Sequence, residues 1–243
     1  MVAGLRQGRT EARETAPVLP VPDDIVEATL PHMPVVVGDM VRLQRLAGMR
    51  PNEVCILRPC DLDRNANVWV YRPESHKTEH HGRERLIFLG PKAQVVLLKY
   101  LARDSQAYCF RPAESEAKRR AQAHADRRTP PTCGNHPGSN RVAKPKRQAG
   151  ARYSTDSYRR AIQRACDRAF PSAEGMKSED LANWQSSHRW APIQLRHSAA
   201  TEIRKKFGLE AAQIVLGHSK ADVTQIYAER DVTKGLQVAQ LIG

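Results

Sequence analysis

Apolar positions recur along this chain at two periods, and the switch between them marks out most of its elements. In "MPVVVGDMVRLQRLAGM", Val36, Met40, Leu43 and Ala47 return at helical spacing, with Gly48 placed as the stop. Pro51 suits a first helical turn, so a short helix is expected to restart through "PNEVCIL". "NVWVYRP" and "ERLIFLG" are rich in β-branched and aromatic residues and flank the polar "ESHKTEHHGR", which predicts two strands of a hairpin with a long exposed loop. "PKAQVVLLKYLAR" returns to a helical pattern. "STDSYRRAIQRACDRAF" predicts a helix capped by Ser154 or Thr155, with Tyr158, Ile162, Ala165 and Ala169 on one face. Three further helices are expected: "LRHSAATEIRKKF" ended by Gly208, "LEAAQIVL" ended by Gly217, and "DVTQIYAERD". No internal repeat is present, and the predicted fold class is mainly α with a small antiparallel β-sheet (α+β).

Between these patterned stretches lie two that lack a period. Residues 1–21 are polar and punctuated by proline, and read as an N-terminal tail or linker remnant ahead of a single domain over residues 22–243. Residues from about 113 to 150 are rich in Arg, Lys, Pro, Gly and Asn and are expected to form a basic, flexible insertion in that domain. Charge sharpens the picture. The 243 residues carry a formal net charge of +13 and a pI near 9.9, which points to a polyanionic partner, nucleic acid first. An aromatic content of 5% argues against base stacking on single strands as the main binding mode. The five cysteines (Cys55, Cys60, Cys109, Cys133 and Cys166) are odd in number and have no framework spacing, as in a reduced cytoplasmic protein. No signal peptide and no run of membrane-spanning length is present in the sequence. Cys133 and His136 form half a metal site without a second pair, and the stretch reads as a loop.

Several residues admit both a structural and a chemical reading. Arg196 lies at the edge of a helical stripe with Ala200, Ile203 and Phe207, and a guanidinium there needs an anion: an internal carboxylate or a substrate phosphate. Arg50 sits between a helix stopped by Gly48 and one started by Pro51, where it can pair with Glu53 at the surface or project into a site. Lys77 lies in the hairpin loop beside His76, His80 and His81, as a solvated lysine or as an ammonium group delivered to a site. His218 follows Gly217 and can cap a helix C-terminus. Tyr227 follows Val223 and Ile226 at helical spacing, as a core aromatic or as a nucleophile.

Order and spacing narrow these choices. "G-x-R-x-x-E", a lysine in a β-hairpin, "L-R-H-S-A-A-T", then "L-G-H" with a tyrosine nine residues after the histidine occur in that sequence. The pattern resembles the catalytic domain of the tyrosine recombinase (phage integrase) family over roughly residues 22–231, apart from the basic insertion. The resemblance implies a site-specific recombinase that cleaves and rejoins DNA strands without metal or ATP, Tyr227 attacking a phosphodiester to give a 3′-phosphotyrosyl bond. Arg50 and Arg196 would hold the non-bridging oxygens, Lys77 would protonate the leaving 5′ oxygen, and His218 would hydrogen-bond the phosphate. Glu53 would support the site by orienting its neighbours. Double-stranded DNA contacted through Arg50, Lys77 and Arg196 is the implied partner, with self-association on DNA, no membrane, and a cytoplasmic, DNA-associated location.

Two features depart from the family pattern. Ile193 stands three residues before the second arginine, where a histidine is usual, which implies reduced activity. The family also carries a helical core-binding domain ahead of the catalytic one, and residues 1–21 are too few to hold it, so the chain is expected to present the catalytic domain alone. The alternatives are a catalytically impaired DNA-binding remnant and a type IB topoisomerase-like enzyme, which shares the transesterification chemistry.

Overall fold

The computed structural model of the protein describes residues 17–75, 84–130, 132 and 150–217. Its architecture is mainly helical with one small antiparallel sheet, as the patterning predicts. The organising element is α2 (Val35–Ala47), which buries Val36, Val37, Met40, Val41, Leu43 and Ala47 and ends at Gly48 in the left-handed conformation, φ 63°. A β-carbon at Gly48 would also meet Leu216 Cδ2 at 3.1 Å, so both the backbone and the packing want glycine there.

Around α2 pack the remaining elements. Ahead of it α1 (Asp23–Thr29) lies against α6 (Thr155–Ala169), and after it comes the short α3 (Pro51–Cys55), also against α6. Ser154 caps α6 with its side-chain oxygen, and Tyr158, Ile162, Ala165 and Cys166 form the buried face. Strands β1 (Leu62–Asp63), β2 (Trp69–Tyr71) and β3 (Ile87–Leu89) form a sheet in that order, with Trp69 opposite Leu89 and Tyr71 opposite Ile87. The hairpin is therefore present, and β1 is an addition the sequence pattern did not suggest. Helix α4 (Pro91–Leu98) returns the chain to α2.

The expected flexible insertion is corrected over its first part. Residues Pro112–Ala125 form a helix, α5, even though they lack an apolar period. It is held at its start by the buried hydrogen bond from Tyr153 Oη to Ser115 Oγ (2.7 Å) and by the Arg103–Glu114 ion pair. Further along, Glu116 pairs with Arg119 and Arg120 at i+3 and i+4, the spacing at which charges support a helix. The rest of the insertion, with Cys133 and His136, lies outside the described residues apart from Thr132 and Gly150.

A second polar helix, α7 (Ser178–His188), buries none of its residues fully and caps α6 through Trp184 and the Arg189–Asp167 pair. Then come α8 (Pro192–Phe207) and α9 (Leu209–Leu216), which share a small cluster of Ala200, Ala212 and Leu216. Gly208 and Gly217 end these helices at φ 91° and 64°, the stops read from the sequence. The predicted helix at "DVTQIYAERD" lies outside the described residues. Where the tail was expected, residues 17–21 run beside α8. There Val21 is buried, its N–H donating to Ser198 Oγ (3.0 Å) and its carbonyl accepting from the same hydroxyl (2.7 Å).

Buried Gln44 joins three helices. Its amide nitrogen donates to the carbonyls of Met49 and Pro192, and its oxygen accepts from Tyr158 Oη. The end of α2, the start of α8 and the face of α6 are thereby held in one arrangement, which fixes where Arg50 and Arg196 stand. Among the described residues no helix is long and apolar enough to cross a membrane.

Candidate functional site

Glu53 lies in the first turn of α3, and its carboxylate is almost fully buried, at 1% exposure. It is ringed by donors. Oε2 accepts from the backbone N–H of Arg50 (2.7 Å), the reciprocal contact that closes a helix N-terminus, and Oε1 accepts from Arg50 Nη1 (2.8 Å). A second guanidinium arrives from elsewhere in the chain: Arg85 Nε donates to Oε1 at 3.2 Å and Nη2 to Oε2 at 3.5 Å. The expected Arg50–Glu53 pair is thus present, but in the interior of the site.

Arg196, at 1% exposure, is more deeply buried than a position at the edge of a stripe suggests. Its Nη1 donates to the carbonyl of Gly48 and its Nη2 to that of Leu216, both at 2.7 Å. Those carbonyls sit at the C-terminal ends of α2 and α9, where helices leave acceptors over and their dipoles are negative. Two helix ends therefore help to compensate a cation that neither apolar packing nor a surface ion pair explains.

These side chains share one electrostatic environment. Burial, the largest single influence, pushes the Glu53 carboxyl up. Arg85, then Arg50 with its backbone N–H, then Arg196 outweigh it, so the pKa is lowered overall. Glu53 is ionised at neutral pH, and three guanidiniums act on one carboxylate.

The structure brings together Arg50, Glu53 and Arg196, three of the six residues named from the sequence. Lys77, His218 and Tyr227 lie outside the described residues. Arg85 was missed, although a signal for it exists. In "RERLIFLG" the strand alternation that buries Ile87 and Leu89 and exposes Phe88 puts Arg85 on the inward face. Ile193 is half-buried on the first turn of α8. It lines a shallow groove of about 290 Å³ with Pro51, Thr155 and Arg159, next in the chain to Arg50 on one wall. No cluster of His, Cys, Asp and Glu suited to a metal occurs among the described residues.

Comparison with known proteins places this geometry in context. The model of the phage integrase family matches residues 25–234. No curated protein matches the chain. Among solved structures, the crystal structure of XerA recombinase is similar at a TM-score of 0.54 and 17% identity, over 92% of this chain and 65% of that one. XerH site-specific recombinase bound to difH substrate, in a pre-cleavage complex, gives 0.51 and 15%, over 95% of this chain and 56% of that one. The Tn1549 transposon integrase in complex with a circular intermediate DNA gives 0.57 and 16%, over 95% and 67%. At these identities the likeness is one of fold, and the chain spans about two thirds or less of the length of these relatives.

Glu53→Gln tests the buried carboxylate. An amide of the same shape leaves the guanidiniums without their counter-charge and should cost about 3–5 kcal/mol at pH 7. The carboxyl's pKa is lowered in the folded state, so its contribution is present above the unfolded glutamate value and is lost as pH falls through the folded one. Denaturant titrations of parent and variant should therefore differ widely at pH 7 and converge in acid. Equal midpoints at pH 7 would show that the carboxylate holds nothing.

Proposed function

The chain belongs to the phage integrase family, and on that premise we propose that it cleaves and rejoins duplex DNA as a site-specific recombinase working through a covalent tyrosine intermediate. The observation that carries the reading is that Arg50 and Arg196, far apart in sequence, are held at one place: Arg50 bonds the buried Glu53 carboxylate, and Arg196 bonds the carbonyl of Gly48, two residues before Arg50. Guanidiniums are matched to the oxygens of a phosphodiester, and held in a fixed arrangement they stabilise the extra charge that develops on the pentacoordinate phosphorus without reorganising.

In this reaction the Tyr227 oxygen, its phenolic proton given up to solvent, attacks the phosphorus, a phosphorus–oxygen bond to the tyrosine forms, and the bond to the 5′ oxygen breaks. Lys77 supplies the proton that leaves with the 5′-hydroxyl, and His218 hydrogen-bonds the phosphate. A free phenol has a pKa of about 10, so attack at neutral pH depends on nearby cations. Rejoining is the same step reversed with another strand's 5′-hydroxyl, and the bond energy is conserved in the phosphotyrosine. Copies of the chain would assemble on duplex DNA, at a DNA-associated cytoplasmic location, for strands of two sites to be exchanged.

Ile193 favours a second reading, that of a catalytically impaired DNA-binding protein. An isoleucine neither carries a proton nor bonds a phosphate oxygen, and the position opens on the groove beside Pro51.

Two variants decide between these. Tyr227→Phe should abolish the denaturant-resistant protein–DNA adduct on a nicked duplex that traps cleavage, while duplex binding stays near the parent's. An adduct that survives the substitution would remove Tyr227 as nucleophile, and a parent that binds duplex but forms no adduct would favour the impaired protein. Ile193→His restores a hydrogen-bond donor and proton carrier, and should speed single-turnover adduct formation by about tenfold or more. The side chain is half-buried at a groove, so the histidine is expected to fold. A folded variant that cuts no faster would mark Ile193 as a neutral occupant of the position.

A further inference from the structure

We propose that Arg85 is a positioning residue for the cleavage reaction, tying the Glu53–Arg50 pair to the end of α9 immediately ahead of the Gly217–His218 step in the chain. The inference rests on the cleavage reading above, in which Arg50 and His218 both act on the phosphate.

The geometry is unusually committed for an arginine. Arg85 is 4% exposed, and its side-chain nitrogens are all engaged: Nε and Nη2 on the two oxygens of Glu53, and Nη1 on the carbonyls of Leu86 and Val215, each at 3.1 Å. Leu86 belongs to its own strand approach, whereas Val215 lies in the last turn of α9. One planar group therefore spans α3, the lead into β3 and the C-terminal end of α9. A guanidinium can do this because its donors fan out in a rigid plane, and a lysine, with one nitrogen on a flexible stem, cannot reach both ends at once.

The turn after α9 is shaped around this side chain. A β-carbon at Gly217 would lie 2.5 Å from Arg85 Nη1 and 3.2 Å from its Cδ. Glycine there serves two needs, the left-handed backbone at φ 64° and the close approach of a guanidinium that its other hydrogen bonds prevent from moving aside. Leu216, between Val215 and Gly217, offers its carbonyl to Arg196. Adjacent carbonyls of one helix end are thus held by two different arginines, and Arg85 links that end to the carboxylate that orients Arg50. A shift of α9 would be felt at Arg50, and a shift of Glu53 at the residue before His218.

Charge gives this arrangement its own readout. Glu53 is faced by Arg50 from the start of α3, by Arg85 from the approach to β3 and by Arg196 from α8, while Tyr71 Oη from β2 bonds its backbone carbonyl. Of the single interactions that hold its carboxyl ionised, the charge of Arg85 is the largest. Removing that charge raises the carboxyl's pKa, so the acid limb of the pH–rate profile moves to higher pH. A substitution that merely loosens the fold does not move it in this way.

The experiment compares Arg85→Lys and Arg85→Met with the parent chain, using single-turnover adduct formation at saturating nicked duplex across pH. Amide hydrogen exchange over residues 209–217 is measured on the same proteins. Arg85→Lys keeps the charge and loses the span. It should bind duplex as the parent does, form adduct between about tenfold and about a hundredfold more slowly, keep the acid limb, and exchange faster at residues 209–217. Arg85→Met should in addition shift the acid limb upward, and should it not fold, Arg85→Lys decides alone. A folded Arg85→Lys with the parent's rate at saturating DNA, or with a defect confined to DNA affinity, overturns the proposal. A parent that forms no adduct counts against the cleavage reading itself. Unchanged exchange at residues 209–217 in Arg85→Lys overturns the tether whatever the parent does.

Discussion

A carboxylate withdrawn from water must be surrounded by donors, and the buried Glu53 carboxylate meets that requirement with parts of the chain far apart in sequence. The backbone and side chain of Arg50 and two nitrogens of Arg85 share its two oxygens, and Arg196 lies near enough to lower its pKa further. Breaking such a buried arrangement from one side leaves uncompensated charge and costs several kcal/mol, far more than a surface ion pair contributes. The sheet approach, the α2–α3 junction and the α8–α9 pair are consequently fixed relative to one another by polar contacts, while the apolar core beneath them sets only their general packing.

Helix ends supply the other half of the electrostatics. Arg196 lies between the C-terminal carbonyls of α2 and α9, and Arg85 takes a neighbouring carbonyl of α9. Both glycines that end those helices adopt the left-handed conformation, which closes each helix tightly and brings its last carbonyls within reach. Fold and site are in this sense one construction: the residues that stop α2 and α9 also create the acceptors on which the arginines rest. A rigid cluster of guanidiniums around one carboxylate suits the binding of a phosphodiester, whose charge rises as the reaction proceeds.

The sequence was most legible where a single local rule acts. Gly48, Gly208 and Gly217 announce helix ends, the face of α6 follows from its period, and the two main strands of the sheet follow from β-rich runs around a polar loop. It was least legible where stability is polar or assembled from afar. Helix α5 lacks an apolar stripe because its order comes from the Glu116 pairs and from Ser115 and Glu114 at its start, and α7 lacks one because it rests on α6 by few residues. Glu53 was legible as a supporting acid, but its burial was not, since its neighbours come from three separate segments. Arg85 could have been found by asking which face of its strand it occupies. Lys77, His218 and Tyr227 rest on the family resemblance, since they lie outside the described residues.

The central claim is that Arg50 and Arg196 act by neutralising a phosphate's non-bridging oxygens. It is tested most directly by removing that charge from the DNA instead of the protein. Single-turnover adduct formation would be measured for the parent, Arg50→Ala and Arg196→Ala on nicked duplexes carrying either the natural phosphodiester or a neutral methylphosphonate at the cleaved position. The account predicts that each variant loses most of its activity on the phosphodiester and regains a large part of it, relative to the parent, on the methylphosphonate. Variants equally impaired on both substrates, or as active as the parent on the phosphodiester, would contradict it.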